Sequence, residues 1–177
     1  MSRIPECNSD LDDEDAQRMD SLWTANYRRE LKSKRGRAFL REVLCALEDL
    51  PEKALVEGAV SRGGMVCTLG ALALKRRTDD GQKRGVVLAD LAAIVVNPLD
   101  DDGEEPEDYE PMLDWASRVL NAPRRIALEI IDRTDDDGTM LVCSDDKETG
   151  DGILVEVTPA MRYQRMVLAV RSMLEVP

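Results

Sequence analysis

Carboxylates are the chemical groups this sequence offers most freely. Asp and Glu make up 36 of its 177 residues, and eight of them fall within the eleven residues Asp100–Glu110, DDDGEEPEDYE. Groups in such runs can hold calcium, work as a general acid–base pair, or face a basic surface. A calcium loop of the EF-hand type needs Asp or Asn at its first, third and fifth places, Gly at the sixth and Glu at the twelfth. Counting back from Gly138, Gly103 and Gly152 puts Arg133, Pro98 and Lys147 at the first place, so none of the acidic turns qualifies. For acid–base work the carboxylates are too numerous, and too clearly on polar stretches, to single out a catalytic pair.

The other reactive types offer less. There is no histidine, so the usual general base is missing and Ser-His or Cys-His nucleophiles cannot be built. The four cysteines, at 7, 45, 67 and 143, include no C-x-x-C spacing, which leaves a zinc site without ligands. Cys45 and Cys67 sit in apolar runs and read as core residues in a reducing cytoplasm. An apolar setting also disfavours the thiolate that Cys67 would need as a nucleophile. The glycine pair in SRGGMVC lacks the G-K-[ST] of a phosphate loop. The sequence therefore predicts no catalytic residue, no cofactor and no metal ligand, and the expected protein is not an enzyme.

What remains is the electrostatic role. The formal net charge is −12 and the isoelectric point about 4.5, a field that repels nucleic-acid backbones and attracts basic surfaces. Its simplest consequence is solubility. Its specific consequence would be a docking site on Asp100, Asp101, Asp102, Glu104, Glu105, Glu107 and Asp108 for a basic protein partner. One stretch points the other way. Residues 115–131, Trp115-Ala116 followed by SRVLNAPRRIALEII, have the pattern of a DNA-binding helix-turn-helix, with Arg124 and Arg125 opening the second helix where they could reach phosphates or base edges. Glu129, Asp132 and Asp135–Asp137 would oppose that contact, and two helices joined by a tight turn are also a common packing unit.

The elements that must position these groups are mostly helices. Hydrophobic residues make up 43% of the chain but aromatics only 3%, so Leu, Val, Ile, Ala and Met fill the interior, as suits helices better than a β-sandwich. Residues 1–12 are expected to be a flexible acidic tail, and 13–177 a single helical domain. A helix begins near Asp12 to Glu14, carries Met19, Leu22, Trp23, Asn26 and Tyr27 on one side, and ends near Lys34, with Gly36 as a break. Its end and the residues beyond are basic, which complements the negative helix end. A second helix from about Arg37 to Leu50 buries Leu40, Val43, Leu44, Leu47 and Leu50. The stretch 52–62 is ambiguous between strand and helix. Gly63-Gly64 lead into MVCTLGALALK, a buried central helix in which Gly70 permits close approach. TDDGQKRG is a loop, Val86–Val96 another helix, and 99–110 a solvated acidic loop.

Pro111–Leu120 and Pro123–Asp132 form a helix pair that turns at Asn121, a residue type that tolerates the left-handed conformation. Met140–Cys143 and Ile153–Val157 suggest a hairpin. Thr158-Pro159 caps a last helix with Tyr163, Met166, Val167, Val170, Met173 and Leu174 as its stripe. The predicted fold is mainly α: a compact bundle of six or seven helices with a small β-hairpin near the C-terminus. Leu44, Leu47, Leu69, Leu72, Val167 and Val170 are the expected core. No apolar run approaches the length of a membrane span, and the N-terminus has no apolar signal region.

Two segments carry a resemblance. VCTLGALA, through Cys67, Leu69, Gly70 and Leu72, resembles a C-x-L-G-x-L element of small phage- and prophage-encoded proteins. TPAMRYQRMVLAV, through Thr158, Pro159, Arg162, Tyr163, Arg165 and Met166, resembles a T-P-x-x-R-[YW]-x-R-M helix found in some of them. The resemblance implies a phage setting, in the cytoplasm of an infected or lysogenic host cell, and no established activity. Joined to the charge, it suggests an interaction protein that occupies a basic surface on a host defence or replication protein, a CRISPR–Cas component included, as anti-CRISPR and other anti-restriction proteins do.

Overall fold

A computed structural model describes residues 13–57, 59–94, 110–134, 139–143 and 152–177. The first helix, α1 (Asp13–Lys32), stops one residue before Ser33. Ser33 is extended, and its hydroxyl accepts the Gly36 N–H (2.9 Å), so it caps α2 (Lys34–Glu48). The break expected at Gly36 therefore falls earlier. Gly36 is buried inside α2, where a Cβ would collide with the Glu30 carbonyl and meet Ile126 Cδ1 at 2.9 Å. That glycine is there for a close helix crossing, not for a stop.

The central apolar run divides in a way its composition did not announce. Its first two residues form a strand, β2 (Met65–Val66), paired antiparallel with β1 (Ser61–Arg62) across Gly63 and Gly64. Both glycines have positive φ (59° and 83°), so the pair makes a hairpin turn. Cys67 then caps α3 (Thr68–Asp79), which takes in Thr78 and Asp79 from the start of the segment expected to be a loop. Thr68 to Leu74 are buried throughout. α3 packs against α2 and β2, and against α4 (Arg84–Ala92), α5 (Glu110–Leu120) and α6 (Arg124–Thr134). It is the element the others gather around.

Asn121 turns α5 into α6 with φ 52°, as its residue type predicts. A hairpin of β3 (Thr139–Cys143) and β4 (Gly152–Glu156) precedes α7 (Pro159–Glu175), whose N-cap is Thr158 with Pro in the first turn. The described chain is thus seven helices with two small antiparallel hairpins, a mainly helical bundle. Leu47, Leu69, Leu72, Val167 and Val170 are buried. Leu44 is the exception: it lies at the edge of the core, half-buried, and the deep positions of α2 are Phe39, Leu40, Val43, Ala46 and Leu47. Cys45, next to Leu44, is exposed, so only Cys67 of the expected cysteine pair is a core residue.

Arginines close the helix ends. Arg76 holds Glu42 through two hydrogen bonds (2.6 and 2.7 Å) and donates to the Leu120 carbonyl (2.8 Å), joining α2, α3 and the end of α5. Arg35 donates to the backbone and side-chain oxygens of Asn121 (2.9 and 2.7 Å). Arg37 donates to the Leu174 carbonyl (2.8 Å). Cationic donors suit carbonyls that the helix leaves without partners.

Candidate interaction surfaces

The segments VCTLGALA and TPAMRYQRMVLAV lie far apart in sequence, and the fold brings them onto one connection, around Leu55 and Val60. Leu55 is the focus. Its N–H donates to the Pro159 carbonyl (3.0 Å) and its carbonyl accepts from Arg162 Nη1 (3.3 Å). It also bridges Val66, whose carbonyl takes the Val56 N–H (3.2 Å). Arg162 is buried at 5% exposure and pairs with Glu57; its Nε has no hydrogen-bond partner among the described residues. From the other segment, the Cys67 N–H donates to the Val60 carbonyl (3.1 Å) and the Cys67 sulfur accepts the Gly70 N–H (3.3 Å). Gly70 admits this packing because a Cβ would clash with the same Val60 carbonyl. Residues of both segments therefore hold a chain crossing together. Their chemistry is structural: Cys67 is a cap, Gly70 a contact, and Arg162 a clamp on backbone oxygen.

No protein family, curated protein or solved structure matches the chain.

Most acids outside the acidic runs are matched by cations. Lys75 pairs with Asp49 (2.7 Å) and Asp79 (3.2 Å), Arg77 with Asp90, Arg84 with Glu52 (2.8 Å), Arg133 with Glu129 (2.7 Å) and Arg171 with Glu48 (2.9 Å). The hydrogen bond from Arg76, and then its charge, hold the Glu42 carboxyl below its ordinary range against the opposing effect of burial. The Lys75 hydrogen bond does the same for Asp49. Among the described residues no three or more acids or cysteines gather as metal ligands would.

The negative excess lies elsewhere. Residues 1–16 hold six acids against Arg3, 100–110 eight acids and no cation, and 135–151 seven acids against Lys147. Everything outside these three segments has 22 Lys or Arg against 15 Asp or Glu, a surplus of seven cations. A chain with a net charge of −12 is thus a basic body with three acidic segments. The proposed docking residues Asp100, Asp101, Asp102, Glu104, Glu105, Glu107 and Asp108 lie outside the described residues.

The helix pair of residues 115–131 is described in full. α6 has six of its 11 residues buried: Ile126, Ala127, Glu129, Ile130, Ile131 and Thr134. The Thr134 hydroxyl meets that of Thr68 inside the protein (2.9 Å). Arg124 pairs with Glu110 and with Asp114 (3.4 Å). Arg125 and its own backbone N–H both reach Glu30 (3.1 Å each). Both arginines that would open a recognition helix thus face carboxylates of the same molecule.

Proposed function

We propose that this chain is a non-enzymatic interaction protein that presents acidic segments to a basic protein surface, of the kind that handles nucleic acid, and blocks it. The carrying observation is the segregation of charge. The body pairs most of its acids internally, and the excess carboxylates are concentrated in three runs of the sequence, 1–16, 100–110 and 135–151. The phage-like segments suggest the setting, with a host defence or replication protein as the partner class, in the manner of anti-CRISPR proteins.

Docking of this kind is fast and salt-sensitive, because exposed charges steer association and are screened within about 8 Å at physiological ionic strength. The test replaces Asp100, Asp101, Asp102, Glu104 and Glu105 with Asn or Gln. Partner capture from host lysate at low salt should fall at least about tenfold, equal to about 1.4 kcal/mol. The melting temperature should hold, since surface charges contribute little to stability. Undiminished capture by the neutralised protein would refute the assignment of this segment.

A further inference from the structure

The first helix has two faces, and the fold uses one. Leu31 is buried, and Tyr27 packs against the core and stacks on Trp23 with ring centroids 5.1 Å apart. A second seam runs along Met19, Leu22, Asn26 and Arg29, at alternating steps of three and four residues, and Asp15 stands one further step of four back along the helix. That spacing keeps side chains on one line toward a neighbouring helix. Met19 is 53% and Leu22 52% exposed, and residues 17–22 are exposed throughout. Nothing among the described residues covers them.

Charge is polarised along the same helix. It begins Asp13-Glu14-Asp15 and ends with Arg28, Arg29 and Lys32. Those three cations are exposed, and among the described residues they have no ion pair or side-chain hydrogen bond, unlike most cations of the body. Asp15 lies seven residues before Leu22 and Arg29 seven after it, two turns to either side. A helix that is apolar at its centre, acidic at one end and basic at the other is complementary to itself when turned end for end. Self-complementarity of this kind is what an isologous twofold contact requires.

We infer that α1 is the contact helix of an antiparallel homodimer, with the twofold axis near Leu22 and the acidic end of each copy along the basic end of the other. A parallel pair would oppose like charges. A purely acidic or purely basic partner would match only half of the seam. The net charge of each copy repels the other, but beyond about 8 Å that repulsion is screened at physiological ionic strength, while facing pairs at contact distance are not. The seam has two large apolar residues per copy on a helix about 30 Å long, so the dimer should form and dissociate over micromolar concentrations. The inference does not depend on the function proposed above.

Sedimentation velocity on the full chain, from about 1 to 200 μM and at low and high salt, reads it directly. One variant carries Arg28→Glu, Arg29→Glu and Lys32→Glu; a second carries Asp13→Lys, Glu14→Lys and Asp15→Lys. Each alone should be monomeric, and their equimolar mixture should form a heterodimer, because a wholly acidic helix then meets a wholly basic one. Leu22→Ser should be monomeric with unchanged circular dichroism. Restored association in the mixture cannot arise from misfolded variants. A parent that stays monomeric at the highest concentration would overturn the inference, as would charge variants that each dimerise like the parent or a mixture that stays monomeric.

Discussion

Gly70→Ala is a small change whose cost follows from one contact. A Cβ at Gly70 would lie well inside 3.0 Å of the Val60 carbonyl oxygen and 3.2 Å from Val66 Cβ. The obstacle is backbone, and that carbonyl already accepts the Cys67 N–H at 3.1 Å. Relief requires α3 and the 54–60 connection to separate, straining the core by about 1–3 kcal/mol and weakening a hydrogen bond worth about 0.5–1.5 kcal/mol. Alanine's helix preference returns about 1 kcal/mol. The net loss should be about 1–3 kcal/mol, a fall in melting temperature of about 3–10 °C for a domain of this size. Gly85→Ala is the control: it also lies in a helix, but a Cβ there meets nothing within 4 Å. It should be neutral or stabilising by up to about 1 kcal/mol. Thermal and urea melts of the two variants, followed by circular dichroism, make the comparison. Equal stabilities would refute the close-packing argument for Gly70.

Three further outcomes are expected. Leu47→Ala should cost about 2–5 kcal/mol and Leu44→Ala only about 1 kcal/mol in urea melts; equal losses would contradict the half-buried placement of Leu44. Glu42→Gln should lower the melting temperature at neutral pH, and the deficit should shrink as pH falls below the ordinary Glu42 value of 4.5. The sign follows from the lowered carboxyl: its contribution is present above the unfolded value and lost as pH drops through the folded one. A deficit that does not change with pH would count against the Glu42–Arg76 pair as its source. The parent should show no sub-micromolar duplex DNA binding at physiological salt, and Arg124→Ala with Arg125→Ala should leave partner binding unchanged; a gel shift lost in that double variant would revive the helix-turn-helix reading.

The local signals were the legible ones. Thr158-Pro159, Asn121 and the stripe on α7 announce a cap, a turn and a buried face within a few residues each, and the structure has all three. What was hidden depends on contacts distant in sequence. Gly36 reads as a helix break until Glu30 and Ile126 are seen against it. Met65-Val66 is too short for its period to separate a strand from a helix start, and only pairing with Ser61-Arg62 decides it. Leu44 and Phe39 are equally apolar in sequence, and which lies deeper depends on how α2 is rotated against α3 and α7. The acidic residues proposed for docking were legible as charge alone, and the charge polarity of α1 gained meaning only once Met19 and Leu22 were found exposed.

The clamp on Leu55 also sets an order of events when the chain is made. A ribosome delivers residues from the N-terminus at about 5–20 per second. The partners of the Leu55 backbone, Pro159 and Arg162, and α7, which packs on α2, are made only after residue 158. Until then the nascent chain holds an unsealed crossing and a bare apolar face, the state that chaperones and proteases recognise. Late nonsense and frameshift alleles upstream of Thr158 should therefore act as nulls through clearance of the product, even where every acidic run is translated intact.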